Sequence, residues 1–171
     1  MHNERGLDRG KDFEEVVRKA FESVPETLVE RLPDPVQGYL GIRNKCDFII
    51  YHFPYQYYIE CKTTQSHRLP FANITFNQWQ GMLKVVDTFG VIAGVIVWYV
   101  KEDKTLFIPI QVLEAMKQAG KKSAILDDAE WSDKFIEIEG KKKRIFFDYD
   151  VVKFLTDMQN ARFGERGIHE H

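Results

Sequence analysis

The chain has 171 residues, 44% apolar and 29% charged, which predicts a single domain (1–171) with its own core and excludes a disordered or fibrous chain. Its formal net charge is −2, so it does not bind nucleic acid through overall basicity, and any such role must rest on local patches. No apolar run approaches the ~18 residues of a membrane span and no secretory signal opens the chain; with two cysteines lacking framework spacing, a reducing, cytoplasmic setting is expected.

Residues 1–10 are polar and contain glycine, and are expected to form a flexible arm. From Lys11, the residues Phe13, Val16, Val17, Ala20, Phe21 and Val24 recur at three- and four-residue spacing, which predicts a helix ended by Pro25. Glu14 falls on the edge of this apolar stripe, beside Val17 and Phe21, and Glu15 falls on the wet side. Glu14 is thus a candidate to reach a site on a sheet below; its other reading is a favourable charge in the first helical turn. Thr27 to Leu32 reads as a strand. A loop over 33–45, with two prolines and two glycines, carries the cations Arg43 and Lys45 straight into the strand that bears Asp47.

Two aromatic and β-branched runs, CDFIIYHF (46–53) and YQYYIECK (55–62), predict a hairpin joined at Phe53-Pro54. A two-residue connection sets Asp47 opposite Glu60 and Cys46 opposite Cys61, with Asp47, Glu60 and Lys62 on one face and both cysteines on the other. Carboxylates so placed are about 5 Å apart and repel. Between apolar runs they are also partly desolvated, at a cost of several kcal/mol each unless positive charge answers them. Lys62 answers one charge. A divalent cation would answer the rest, and hard oxygen ligands favour magnesium or manganese. The pattern Glu-x-Lys also occurs at Glu102–Lys104 and Glu139–Lys141, but there in polar, turn-like stretches. The alternative for Asp47, Glu60 and Lys62 is a structural ion pair.

Residues 63–74 read as a polar, mostly irregular connection carrying His67 and Arg68. Thr75 and Gln78 have capping-box spacing at the start of a second helix, with Phe76, Trp79, Met82, Leu83 and Val86 expected inward. Gln78 and Gln80 flank that stripe on opposite sides, and periodicity does not choose between them. Gly90 stops the helix, and VIAGVIVWYV (91–100) predicts a strand buried on both faces. TLFIPI (105–110) comes next, with Pro109 marking an edge or strand end. A short helix is expected over 111–119 and a loop over 121–131. KFIEIE and RIFFDY predict a second hairpin whose tip holds Lys141, Lys142, Lys143 and Arg144, the densest positive charge in the chain. Such a tip also serves as a solvated guard against aggregation. A last helix over 151–160 turns Val152, Leu155 and Met158 inward, and 161–171 is expected to be a flexible tail. These elements give an α/β domain with a mixed central β-sheet flanked by helices.

Asp47, the motif Glu60-Cys61-Lys62, helical Glu14 upstream and helical Gln78 downstream together resemble the PD-(D/E)xK nuclease superfamily. Within it the chain is similar to RecU-type Holliday-junction resolvases and their phage relatives. The likeness is carried by GKDFEEVV (10–17), KCDFIIY (45–51), YYIECKTT (57–64) and LPFANITFNQWQGMLKV (69–85). It implies a restriction-endonuclease-like domain that hydrolyses phosphodiester bonds in branched DNA, during recombination or phage replication, with Mg2+ or a substituting Mn2+. Asp47, Glu60 and the main-chain carbonyl of Cys61 would hold the metal, and Glu14 would act on a second metal or its water shell. Lys62 would orient the attacking water, and Gln78 would support the nucleophile or a phosphate oxygen. Arg43, Lys45, Arg68 and the 141–144 cluster are the candidate DNA contacts, and a homodimer is expected because junction resolution needs paired nicks. The chain departs from the RecU pattern in one place: the piece corresponding to the family's long stalk is only about 33–45. Two other readings stay open, a restriction- or repair-type nuclease acting on duplex or flap DNA, and a DNA-binding module that does not cut.

Overall fold

The computed structural model describes residues 9–33 and 44–166. Helix α1 (Arg9–Glu22) buries Phe13, Val17 and Phe21, so the predicted helix begins two residues early. Strands β1 (Thr27–Arg31), β2 (Phe48–His52) and β3 (Tyr55–Thr64) follow, then β4 (Arg68–Pro70), helix α2 (Phe76–Val86) and β5 (Val91–Tyr99). The chain continues through β6 (Lys104–Pro109), α3 (Ile110–Gln118), β7 (Ser123–Ile125), β8 (Ile136–Glu137), β9 (Gly140–Lys142), β10 (Phe147–Tyr149) and α4 (Val151–Arg166).

Six strands form the main sheet in the order β1-β2-β3-β5-β6-β8. Among the described residues only β3 and β5 pair parallel, and α2 lies in the crossover that a parallel pair requires. The β2–β3 pairing runs from His52↔Tyr55 to Phe48↔Ile59, the register expected from the two-residue connection. This is the expected mixed central β-sheet flanked by helices.

Strand alternation sorts the core into two layers. Tyr55, Tyr57, Ile59 and Cys61 of β3 pack with α1 and α4, around Phe13, Phe21 and Phe154. Ala93, Val95, Val97 and Tyr99 of β5 pack with α2 and α3 on the other face. Every residue of β5 is buried, as a strand covered on both sides must be. The even-numbered residues of β3, Glu60 and Lys62 among them, therefore lie on the α2 side. Phe154 ties α4 to this frame, with ring centroids 6.1, 6.2 and 5.4 Å from Phe21, Tyr57 and Phe107.

The structure departs from expectation in four places. The stretches 63–74 and 121–131 are not plain loop: β4 and β7 pair antiparallel, Arg68↔Ile125 to Pro70↔Ser123, as a small second sheet. Leu69 and Ala124 are fully buried there, and buried backbone must find partners even where the stretch is too short to show a period. The second hairpin is shifted. Ile136 and Glu137 instead pair with β6, covering an edge that would otherwise lie open. The turn then falls at 143–146, between β9 and β10. Phe76 and Val152, expected inward, are 76% and 57% exposed; Val151, Phe154, Leu155 and Met158 supply the buried side of α4 instead. Finally, α4 runs to Arg166, so the first part of the expected tail is helical. The arm at 1–8, the loop 34–43 with Arg43, and 167–171 lie outside the described residues. Among the described residues no helix is long and apolar enough to cross a membrane.

Candidate active site

Asp47 sits where the β2–β3 ladder changes hands. Its backbone N–H donates to Ile59 O at 3.0 Å, and its carbonyl accepts from Leu32 N at 2.9 Å. Its carboxylate Oδ2 accepts from the backbone N–H of Cys61 at 2.7 Å. The side chain has taken a place that backbone would fill further along the strand, and this fixes the carboxylate beside the Glu60–Cys61 peptide.

Glu60 is 2% exposed. Its Oε1 accepts from Lys62 Nζ at 2.7 Å and from Gln78 Nε2 at 2.7 Å. Its Oε2 has no hydrogen-bond partner among the described residues. Burial pushes the Glu60 carboxyl up to about 7, the Asp47 charge pushes the same way, and Lys62 opposes both. A buried carboxylate oxygen without a partner is costly, and it marks a place suited to a cation.

Gln78 reaches Glu60 because α2 begins with a capping box. Thr75 Oγ1 accepts from Gln78 N at 3.3 Å, and Gln78 Oε1 accepts from Thr75 N at 2.9 Å. With its amide oxygen held by the cap, the amide nitrogen is left to donate to Glu60. Gln78 thus completes the cap and also reaches Glu60, while Gln80 is exposed.

Glu14 is half-buried on the α1 layer, 3.4 Å from Arg31 Nη2, and lines a cleft of about 430 Å³ with Lys11, Arg18, Arg31 and Phe48. Its charge is among those that raise Glu60 and Cys61. The Cys61 thiol is buried in the α1-side core, and burial followed by the Asp47 and Glu60 charges holds it well above the ordinary thiol range. A thiol so held is no thiolate donor, and the oxygen that Cys61 could offer a cation is that of its backbone. Among the described residues no three His, Cys, Asp or Glu side chains gather as a ready metal cluster. The donor set that fits a hard divalent cation is the Asp47 and Glu60 carboxylates, including the orphaned Oε2, with main-chain oxygen to complete it.

The expected DNA-contacting cations are dispersed. Lys45 lies against α2, with Nζ 5.4 Å from the Tyr58 ring centroid. Arg68 is exposed on β4. In the β9–β10 hairpin Lys142 is occupied: its Nζ is 2.5 Å from Asp103 Oδ1 and 4.6 Å from the Phe147 ring centroid. Lys143 lies 3.6 Å from Asp148, whereas Lys141 and Arg144 are exposed and make no ion pair among the described residues. Three neighbours of the site escaped the sequence reading: Arg31, Tyr58 and Gly81. Only Gly81 left a signal, since a glycine inside a helical pattern points to a close approach.

A comparison with curated proteins yields no match. Among solved structures, the chain is similar to Archaeoglobus fulgidus Hjc, a Holliday junction resolvase from an archaeal hyperthermophile, at 18% identity and a TM-score of 0.47. The likeness covers 74% of this chain and 91% of that one. Residues 16–153 match the family model described as Recombination protein U. That span holds Asp47, Glu60, Lys62 and Gln78, so the hairpin and the helix that build this site fall within the matched region, and the chain belongs to the RecU family of Holliday-junction resolvases.

Proposed function

We propose that this resolvase is a magnesium-dependent endodeoxyribonuclease, with manganese as a possible substitute, and that Asp47, Glu60 and the Cys61 carbonyl hold the cation. The observation that carries this reading is the Glu60 carboxylate, buried, with one oxygen held by two donors and the other without a partner. Bound there, a divalent cation supplies acidified water and steadies charge on phosphate oxygens.

The chain's own side chains do the rest. Lys62 and Gln78 hold Oε1 from two directions and so fix the plane of the Glu60 carboxylate. The Lys62 side chain is 21% exposed and remains within reach of substrate, where it orients the attacking water and answers the negative charge that develops on the phosphate. The second amide hydrogen of Gln78 supports the nucleophile or a phosphate oxygen. Glu14 would act from the α1 layer on a second cation or its hydration shell. Arg43, Lys45, Arg68 and the 141–144 cluster contact the backbone of branched DNA, with Lys141 and Arg144 the cations of that cluster most available for it. The enzyme works as a cytoplasmic homodimer (in the host cytoplasm if phage-encoded), since the two-fold symmetry of a four-way junction calls for two active sites.

The test is cleavage of a labelled four-way junction, a flap and a plain duplex, with magnesium and with chelator, by wild type and Glu60→Gln. Symmetric paired nicks in the junction alone, lost with chelator and in the variant, are expected. Cleavage surviving in Glu60→Gln would overturn the site, and cutting of flap or duplex in preference would overturn the substrate.

A further inference from the structure

Gly81 stands in the middle of α2, where glycine is a poor helix former. Its backbone does not have a positive φ, so conformational freedom does not explain it. Space does. A Cβ built on Gly81 would lie 2.4 Å from Lys45 Cβ and 3.2 Å from Lys45 Cα, closer than non-bonded carbons pack.

The two residues in contact stand at informative places. Lys45 precedes Asp47 by two residues. Gly81 follows Gln78 by three, close to one helical turn and on the same side of α2. The contact therefore joins the helix that sends Gln78 to Glu60 with the segment that carries Asp47. Lys45 is also held by Tyr58, with Nζ 5.4 Å from its ring centroid, and Tyr58 shares its face of β3 with Glu60 two residues on.

We propose that Gly81 is a positioning residue for the nuclease reaction: by presenting bare backbone to Lys45, it sets the gap between α2 and the segment entering β2, and with it the placement of Gln78 and Glu60 against Asp47. This inference rests on the reading of those three residues as the active site. Close-packed interiors do not absorb an added methyl without a shift, and displacements of about 1 Å at an active site cost rates on the order of a hundredfold.

The experiment compares wild type, Gly81→Ala, Lys45→Gly, the double variant and Glu60→Gln, by junction-cleavage kinetics in saturating magnesium and by thermal unfolding. In Gly81→Ala, the melting temperature drops by several degrees as the overpacked contact shifts, but at an assay temperature where the variant is still folded kcat falls by about tenfold or more while KM for the junction changes little. Lys45→Gly removes the Cβ that alanine would strike. In that background Gly81→Ala is expected to cost less than about threefold in kcat, a non-additivity that routes the effect through this contact; a merely structural role would lower the melting temperature and leave the kcat of the folded protein intact. Wild-type kcat in Gly81→Ala overturns the proposal, as does the same loss in both backgrounds. Should Gly81→Ala fail to fold, the double variant must fold and cut as Lys45→Gly does, and its failure overturns the proposal too. Wild-type cleavage by Glu60→Gln would instead overturn the active-site reading on which the inference stands.

Discussion

At the scale of single residues, the candidate site turns on Glu60, whose titration is measurable as stability. In the unfolded chain this carboxyl loses its proton near the ordinary value of 4.5; in the fold, burial and Asp47 hold it until about pH 7. Between those values the folded state binds more protons, so the metal-free protein loses stability as pH rises through the window and levels off above it. The loss is on the order of 3 kcal/mol. Urea unfolding of the metal-free protein at pH 5 and pH 8 should show a larger drop in wild type than in Glu60→Gln, and magnesium should recover stability at pH 8 in wild type alone. Equal drops in both proteins would mean that Glu60 ionises normally. Much of this site was legible in the sequence, because a two-residue connection fixes a hairpin's register and register alone puts Asp47 beside Glu60. The Gln78–Glu60 bond was not legible in the same way. It depends on how α2 docks on the sheet, and the capping pattern explains Gln78 without it.

Secondary-structure elements divide along the same line. Long periodic stretches such as α1, α2 and β5 declared themselves, whereas β4 and β7 did not, and β8 read as a strand but with a different partner. Those strands are two or three residues long, too short to show a period, and are stabilised by partners distant in sequence. The β9–β10 hairpin shows how this bears on function. Its cations read as one cluster, but the element packs through Tyr149, whose hydroxyl meets Thr105 Oγ1 at 2.7 Å, and it turns Lys142 onto Asp103 and Phe147. Lys142→Ala is therefore expected to cost about 1 kcal/mol of stability, the worth of an exposed cation–π contact with its ion pair. Replacing Lys141 and Arg144 by alanine should leave stability alone and flatten the salt dependence of junction binding by roughly one unit of slope per cation. Binding titrations across a salt series distinguish the two; an unchanged slope would remove the hairpin from the DNA interface. Within the same core layer, Phe154→Ala should cost roughly 3–5 kcal/mol in chemical denaturation, since it empties the contact among Phe21, Tyr57 and Phe107.

At the scale of the whole molecule, one chain carries one Asp47, one Glu60 and one Lys62, assembled on a single hairpin at one end of the sheet. A four-way junction is resolved only when two strands of like polarity are cut, so the single site of one chain accounts for half of the outcome. If two copies act together, an inactive copy should stop the second cut without stopping the first. Wild type and Glu60→Gln carrying different affinity tags can be co-expressed, and the mixed species isolated through both tags and supplied with a labelled junction and magnesium. The mixed dimer is expected to nick one strand and leave the junction otherwise intact, so that nicked junctions accumulate in place of resolved duplexes. Wild type should show nicked junctions only in passing. Full resolution by a species bearing one Glu60→Gln copy would show that the wild-type subunit makes both cuts in succession. Failure to recover any doubly tagged species, with wild type still resolving junctions, would show that the chain acts alone.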